Sequence, residues 1–211
     1  MKTYPIMMDV RNKRVVVIGA GSVGRRKVVS LHQAEAIVTL VDPEMPESMD
    51  LPPVTLLAEP YDHEQLRGAA MVFVCTDNRE LNARVARDAR LAGAIVNAAD
   101  QNEDCDFFAP ATIHDGDVVV AIGTGGASPA LSALLKTILQ DAVPEKTGQF
   151  ADLLATIRIE LRTRLDTHEK RGAALKQLVS KESIDAFAKD GEPAIRAKLE
   201  EILQQALSDA D

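Results

Sequence analysis

The chain has 211 residues, with 24 Lys+Arg against 32 Asp+Glu, a net charge of -8, 46% hydrophobic residues, 2 cysteines and no tryptophan. That length suits one domain of about 150 residues with an appendage, or two small domains, and the apolar content excludes intrinsic disorder. No apolar run nears the roughly 18 residues of a membrane span, Met1 to Val10 carries no hydrophobic signal core, and the acidic balance lacks the basic face of general nucleic-acid binding; the expectation is a cytoplasmic protein that uses neither membrane nor nucleic acid.

In chain order, the first two-thirds alternates short β-branched runs with helical patterns, which predicts a parallel sheet covered by helices. Arg14 to Ile18 reads as a buried strand, Arg25 to Ala34 as a helix and Ile37 to Val41 as a second strand. Val54 to Leu57 is a weaker third strand after a Pro-rich stretch, Asp62 to Arg67 a short helix and Met71 to Cys75 a fourth strand. Leu81, Val85, Ala89 and Leu91 recur at helical spacing up to Gly93, and Ile95 to Asn97 is the fifth strand. The pattern then changes. Phe107 to Ile113 and Val118 to Ile122 flank His114-Asp115-Gly116-Asp117 and read as a hairpin. Everything from Pro129 onward is helical, with one apolar stripe through Leu131, Leu134, Leu135, Ile138 and Leu139 and another from Phe150 to Leu165.

Gly19-Ala20-Gly21-Ser22-Val23-Gly24 follows a strand and opens a helix, the context a GxGxxG dinucleotide fingerprint requires. Gly19 allows the tight turn, Gly21 lets backbone approach a pyrophosphate and Gly24 lets helix and strand pack closely, while Ser22 and Val23 offer N–H groups at the helix start. Asp42 ends the second strand, where an acidic side chain accepts hydrogen bonds from an adenosine ribose; the plain alternative is a turn residue before Pro43. Arg25, Arg26 and Lys27 would place three cations on the first helical turn, against the helix dipole, unless they form a solvated face.

Thr76-Asp77-Asn78 and Asn97-Ala98-Ala99-Asp100 lie at the carboxyl ends of the fourth and fifth strands, where open α/β sheets gather ligands. Asp77 and Asn78 could equally cap the next helix. Asp100 starts no obvious helix, and the apolar Ile95, Val96, Ala98 and Ala99 around it would partly desolvate its carboxylate. In the second glycine-rich loop, Gly123 to Pro129, Ser128 is an N-cap before Pro129, while Gly125 and Gly126 exceed what capping needs and suggest close approach of an anionic ligand. Cys75 and Cys105 form neither a disulfide framework nor a CxxC pair, and the four histidines lack metal-ligand spacing, so no metal site is expected.

Taken in order, Tyr4-Pro5-Ile6, Arg14 to Gly24 with Arg26-Lys27, Thr76-Asp77, Asn97-Ala98-Ala99-Asp100, Cys105 to Ala111 and Thr124 to Ala130 resemble the precorrin-2 dehydrogenase family, the dehydrogenase module of siroheme synthases. The resemblance spans about residues 3 to 140, and the helical tail only in general character. It implies NAD-dependent oxidation of precorrin-2 to sirohydrochlorin, in some members insertion of Fe2+, and a homodimer paired through its central segment. It assigns catalysis to Asp100, although Ala98 stands where the family usually has Val, and maps the family's GG(T/K/A)SP loop onto Gly125 to Pro129, with Gly125, Gly126 and Ser128 toward the substrate. The resulting expectation is an α/β chain with a Rossmann-type NAD domain over residues 1–113, a central dimerisation region over 114–146 and a C-terminal helical domain over 147–211. Cofactor contacts are expected from Gly19, Gly21, Ser22, Val23, Gly24, Asp42, Thr76, Asp77 and Asn97. The rival from another class is an NAD-sensing regulatory module without turnover.

Overall fold

Val15, Val16 and Val17 are fully buried, which explains why the first strand shows no polar alternation: it is covered on both faces. The computed structural model describes residues 3–45, 48–99 and 102–208. It divides into two compact units, one formed by residues 1–109 with 125–127 and the other by residues 110–124 with 128–211.

The first unit is built on a five-stranded parallel sheet of β1 (Arg14–Ile18), β2 (Ile37–Val41), β3 (Thr55–Leu57), β4 (Met71–Val74) and β5 (Ile95–Ala98), in spatial order β3-β2-β1-β4-β5. Strand order therefore reverses between β1 and β4, which pair in register Val15↔Met71 to Ile18↔Val74. A reversal of this kind opens a crevice at the carboxyl ends of the two strands. Helix α1 (Ser22–Gln33) covers one face, where Val28 and Leu31 pack with Val15, Val17, Val38, Leu40 and Phe73. On the opposite face, Val85, Ala86 and Ala89 of α2 (Arg79–Leu91) pack with Val16, Ile18, Val72, Val74 and Val96.

The outer edge of β5 is closed by a segment that is not a strand. Asp106 donates its backbone N–H to the Val96 carbonyl at 2.8 Å and accepts the Val96 N–H on its carboxylate at 2.9 Å, so one residue supplies both halves of a ladder rung. One residue pair further along, the Cys105 thiol accepts from the Ala98 N–H at 3.3 Å and donates to the Ala98 carbonyl at 3.2 Å. Arg90 of α2 holds the segment, with bonds of 2.9 Å to the Asp106 carboxylate and 2.9 Å to the Asp104 carbonyl. An exposed sheet edge is a template for unwanted pairing, and this segment removes it.

The second unit carries the hairpin β6 (Ala111–Asp115) and β7 (Val118–Ile122) and five helices, α3 (Pro129–Gln140), α4 (Thr147–Arg164), α5 (His168–Leu178), α6 (Lys181–Asp190) and α7 (Glu192–Ser208). Two sequence expectations shift. Asp115 pairs with Val118, so the turn is the dipeptide Gly116-Asp117 and His114 belongs to a strand. The first hairpin strand starts at Ala111 rather than Phe107, because Asp106 and Phe107 are engaged with β5 and Pro110 offers no N–H. The division expected at 113/114 thus falls inside β6.

Phe150, Leu153, Ile157 and Leu161 of α4 make the helical core with Ala174, Leu178, Phe187, Ile195 and Leu199. Arg164 and Arg196 link α4 to α7: Arg164 is bidentate on Glu200 at 2.5 and 2.7 Å, and Arg196 bonds Glu160 and, at 3.0 Å, Glu192. Such partly exposed pairs set helix register more than they add stability. The start of α4 lacks a cap from its own flank, since Lys146 sits there in the left-handed region at φ 61. The Asp115 carboxylate, from the hairpin, accepts the Gly148 N–H at 3.1 Å instead.

That cap brings backbones so close that a Cβ on Gly148 would lie 2.1 Å from the Asp115 carbonyl oxygen. Gly148→Ala should therefore cost about 1–3 kcal/mol and lower the melting temperature. Gly172, inside α5, is the opposite case, because a methyl group added there meets nothing within 4 Å. Gly172→Ala should raise stability by up to about 1 kcal/mol through helix propensity. Thermal melting of the two variants reads both signs.

Candidate functional site

Three backbones converge where the glycine motif turns. Gly19 has φ +104, and a Cβ there would lie 2.6 Å from the Cys75 carbonyl oxygen; a Cβ on Gly24 would lie 1.9 Å from the Gly19 carbonyl oxygen. Gly19 and Gly24 are thus required by conformation and contact, as expected from the sequence. Gly21 differs: its φ is -63, and nothing stands within 4 Å of its missing Cβ. Its openness leaves space above the helix start for a ligand to approach the backbone.

That helix start is bare. Gly21 caps α1 without a side-chain hydrogen bond, and no acidic residue lies in the first turn. The leading N–H groups of a helix have no intrahelical acceptor, and among the described residues no side chain caps those of Ser22, Val23 and Gly24, which are open to an anion. By contrast, Asn78, Ser128, Thr167 and Ser180 cap α2, α3, α5 and α6 with their own side chains. Helix α1 begins at Ser22, three residues earlier than read from the sequence, because Gly24 lies inside the helix. Arg26 and Lys27 consequently fall in the second turn, and the dipole conflict expected for the basic triplet is smaller.

Asp42 accepts the Ala20 N–H at 2.6 Å on one carboxylate oxygen and the Glu44 N–H at 2.8 Å on the other. It is at once a brace for the glycine loop and the turn residue of the plain reading. Two accepted bonds leave lone pairs on both oxygens for ligand hydroxyls. Asp42, Gly19 and Thr76 line a cavity of about 260 Å³ with Pro60, Tyr61 and Arg84. Pro60, Tyr61 and Arg84 were not anticipated from the sequence; the Tyr61 hydroxyl donates to Asp88 at 3.0 Å, and the Arg84 guanidinium lies 5.3 Å over its ring. Burial and the Asp88 carboxylate both keep this phenol protonated.

The Thr76 hydroxyl donates to Asn82 Oδ1 at 2.5 Å, and Asn82 Nδ2 donates to the Thr76 carbonyl at 2.8 Å. Asn82 is almost fully buried, at 3% exposure, and fixes the turn after β4; a lone Asn in a helical pattern gave no sign of this. Asn78 accepts the Leu81 N–H at 3.0 Å, so its helix-capping role is realised. Asp77 is exposed beside it. Asn97 donates from Nδ2 to the Phe107 carbonyl at 2.9 Å, tying the end of β5 to the segment that closes the sheet. Asp100, the expected catalytic residue, lies outside the described residues.

In the second glycine-rich loop, the Ser128 hydroxyl accepts the Leu131 N–H at 3.2 Å, and Thr124 Oγ1 accepts the Ser128 N–H at 3.2 Å. Gly125 and Gly126 have φ +61 and +82, so their left-handed backbone itself calls for glycine, beyond any ligand. Among the described residues no group of three or more His, Cys, Asp or Glu could hold a metal ion, and no helix is long and apolar enough to cross a membrane.

Residues 6–111, the parallel sheet with its glycine loop and sealed edge, match the family model described as "Putative NAD(P)-binding", and the chain belongs to that family of dinucleotide-binding domains. More particularly, it is 33% identical over 175 residues to the siroheme synthase of Methylobacillus flagellatus, an alignment covering 81% of this chain and 38% of that protein. It is 30% identical over 215 residues to the siroheme synthase of Thioalkalivibrio sulfidiphilus, covering 100% of this chain and 44% of that protein. The chain thus spans about two fifths of the length of these curated relatives. A solved structure of SirC, precorrin-2 dehydrogenase, shares the fold with a TM-score of 0.73 at 21% identity, covering 98% of this chain and 100% of that one. The residues around α1 fit a dinucleotide on their own evidence: bare N–H groups, an open Gly21 and a carboxylate with spare lone pairs.

The glycines separate binding from folding. Gly21→Ala meets nothing and should fold normally, but its methyl should weaken NAD affinity at least about tenfold, near 1.4 kcal/mol. Gly24→Ala must displace the Gly19 carbonyl and should lower the melting temperature first. Calorimetric titration with NAD and thermal melting check the pair.

Proposed function

We propose that the chain is a precorrin-2 dehydrogenase, oxidising precorrin-2 to sirohydrochlorin with NAD as acceptor in siroheme biosynthesis. The observation that carries this reading is coverage: both units, and not the dinucleotide domain alone, align with SirC, and the siroheme synthase similarity runs well past residue 111. Gly19, Gly21, Ser22, Val23, Gly24 and Asp42 would hold the cofactor's pyrophosphate and ribose, with Thr76, Asp77 and Asn97 further along the crevice. NAD supplies the hydride acceptor. The accompanying proton goes to a carboxylate, and Asp100, two residues past the end of β5, takes that role. Gly125, Gly126 and Ser128 serve the substrate's carboxylates. The domain scheme of cofactor domain, central dimerisation region and helical domain belongs to the same reading, as does a cytoplasmic location, which suits two free thiols.

Asp100→Asn keeps size and removes the base, so turnover of precorrin-2 should fall about 10²- to 10⁴-fold with NAD affinity and melting temperature nearly unchanged. The same anaerobic assay should favour NAD over NADP, because the Asp42 carboxylate repels a 2′-phosphate. A variant keeping half of the wild-type kcat would remove Asp100 as base. Binding of NAD with no reduction of it by wild type would instead support the sensor reading. Adding Fe2+ to the product mixture then reads metal insertion.

The exposed stripe on α3 supports a homodimer. Leu134 and Ile138 are 57% and 58% exposed, and Leu131 beside them is 46% exposed, an unusual apolar face for a monomer. Light scattering at micromolar concentration should give twice the chain mass of 22.8 kDa, and Leu134→Glu with Ile138→Glu should return the monomer.

A further inference from the structure

The α1-covered face of the sheet holds a cation that the reading above does not use. Phe73 and Asn97 are paired in register on β4 and β5, and Cys75 follows Phe73 on the same face. The Lys27 ammonium lies 5.4 Å from the centroid of the Phe73 ring. Phe107, whose carbonyl is held by Asn97, meets Phe73 edge-on with centroids 5.4 Å apart. Lys27 is half-buried, and among the described residues neither a hydrogen bond nor an ion pair engages its ammonium.

This is an unfavourable place for a lone charge. A desolvated ammonium ordinarily recovers its lost hydration from a carboxylate, and the aromatic face returns only part of it. Burial pushes the lysine below its usual range, and Arg26 adds repulsion. The Cys75 thiol offers no counter-charge at neutral pH, since burial pushes it up to about 11. A purely structural site would be served better by Met or Leu of similar volume. Lysine side chains on a helix lean toward its N-terminus, so the ammonium is carried toward the glycine-loop end of α1 and the carboxyl ends of β4 and β5.

We propose that Lys27 binds a carboxylate of the substrate at the β4–β5 end of the crevice. The inference rests on the precorrin-2 reading and deepens it by naming a contact for a polycarboxylate. The cofactor's own anion is met by the bare start of α1, one turn earlier, which leaves this cation for a second anion. With a carboxylate in place the ammonium is paired, while Phe73 below it excludes water and strengthens the pairing.

The test compares wild type, Lys27→Met and Lys27→Arg in three measurements: NAD titration, sirohydrochlorin binding by fluorescence quenching, and thermal melting. Lys27→Met should weaken sirohydrochlorin binding and raise the KM for precorrin-2 about ten- to hundredfold, the range of one charge-assisted bond. NAD affinity should not change. The melting temperature should rise by about 2–4 °C, because an unpaired desolvated charge is gone. Lys27→Arg should restore most of the tetrapyrrole binding. Equal sirohydrochlorin binding by wild type and Lys27→Met overturns the inference while leaving the dehydrogenase reading intact. Loss of NAD affinity in Lys27→Met also overturns it, assigning the cation to the cofactor. A wild type that neither binds sirohydrochlorin nor oxidises precorrin-2 defeats the functional reading, and the inference falls with it.

Discussion

The first unit depends on two close backbone approaches with no room for a side chain: the Gly19 carbonyl against Gly24, and Gly19 against the Cys75 carbonyl just past β4. Because those backbones touch, α1 starts directly above the point where strand order reverses, and its unsatisfied N–H groups face the crevice. Asp42 completes the arrangement by holding the Ala20 N–H from the neighbouring strand. An anion-binding helix end is produced with no basic side chain on the loop itself, so affinity there comes from oriented dipoles that need no reorganisation when a ligand arrives.

The far side of the sheet is organised by a different device. Asp106 and Cys105 satisfy the β5 edge at Val96 and Ala98 with one backbone N–H and otherwise with side-chain atoms, where a sixth strand would use backbone throughout. A true sixth strand would need its own register and its own covering helix. Arg90 and Asn97 hold this short seal, which delivers Phe107 onto the α1 face beside Phe73. The Cys-Asp-Phe run therefore has a structural role, and the same seal fixes Asn97 near the end of β5.

Much of this was legible in the sequence. Strands β1, β2, β4 and β5 stand out because strands buried on both faces read as unbroken β-branched runs, and the glycine motif sits in the one context that gives it meaning. What escaped was long-range or chemically ambiguous. The start of α1 is one case: the sequence places it at Arg25, after Gly24, and Gly24 lies inside the helix. Phe107 to Pro110 reads as strand because its composition is apolar, yet the Phe107 carbonyl is taken by the Asn97 side chain and Pro110 offers no N–H. The trans cap of Asp115 on α4 and the Asn82 clamp on Thr76 join residues whose relation no periodicity reveals. Gly125 and Gly126 read as ligand glycines, and their left-handed backbone adds a requirement for glycine that the sequence does not display.

On the proposed function, a chain of net charge -8 would handle an anionic cofactor and an anionic substrate, and must separate long-range from local electrostatics. At physiological ionic strength charges more than about 8 Å apart are largely screened, so the acidic exterior imposes a modest penalty on encounter. Within the crevice the balance reverses, because donors that have lost their water act at low effective dielectric. Some of the second unit's charge is neutralised locally, as where Glu160, Glu192 and Glu200 are spent on Arg164 and Arg196. Among the described residues, the bare α1 start and Lys27 carry no such partner. On the proposed function, selectivity for a polyanion follows from leaving a few donors unsatisfied in the free protein, which lowers its stability and gives the ligand a charge to complete.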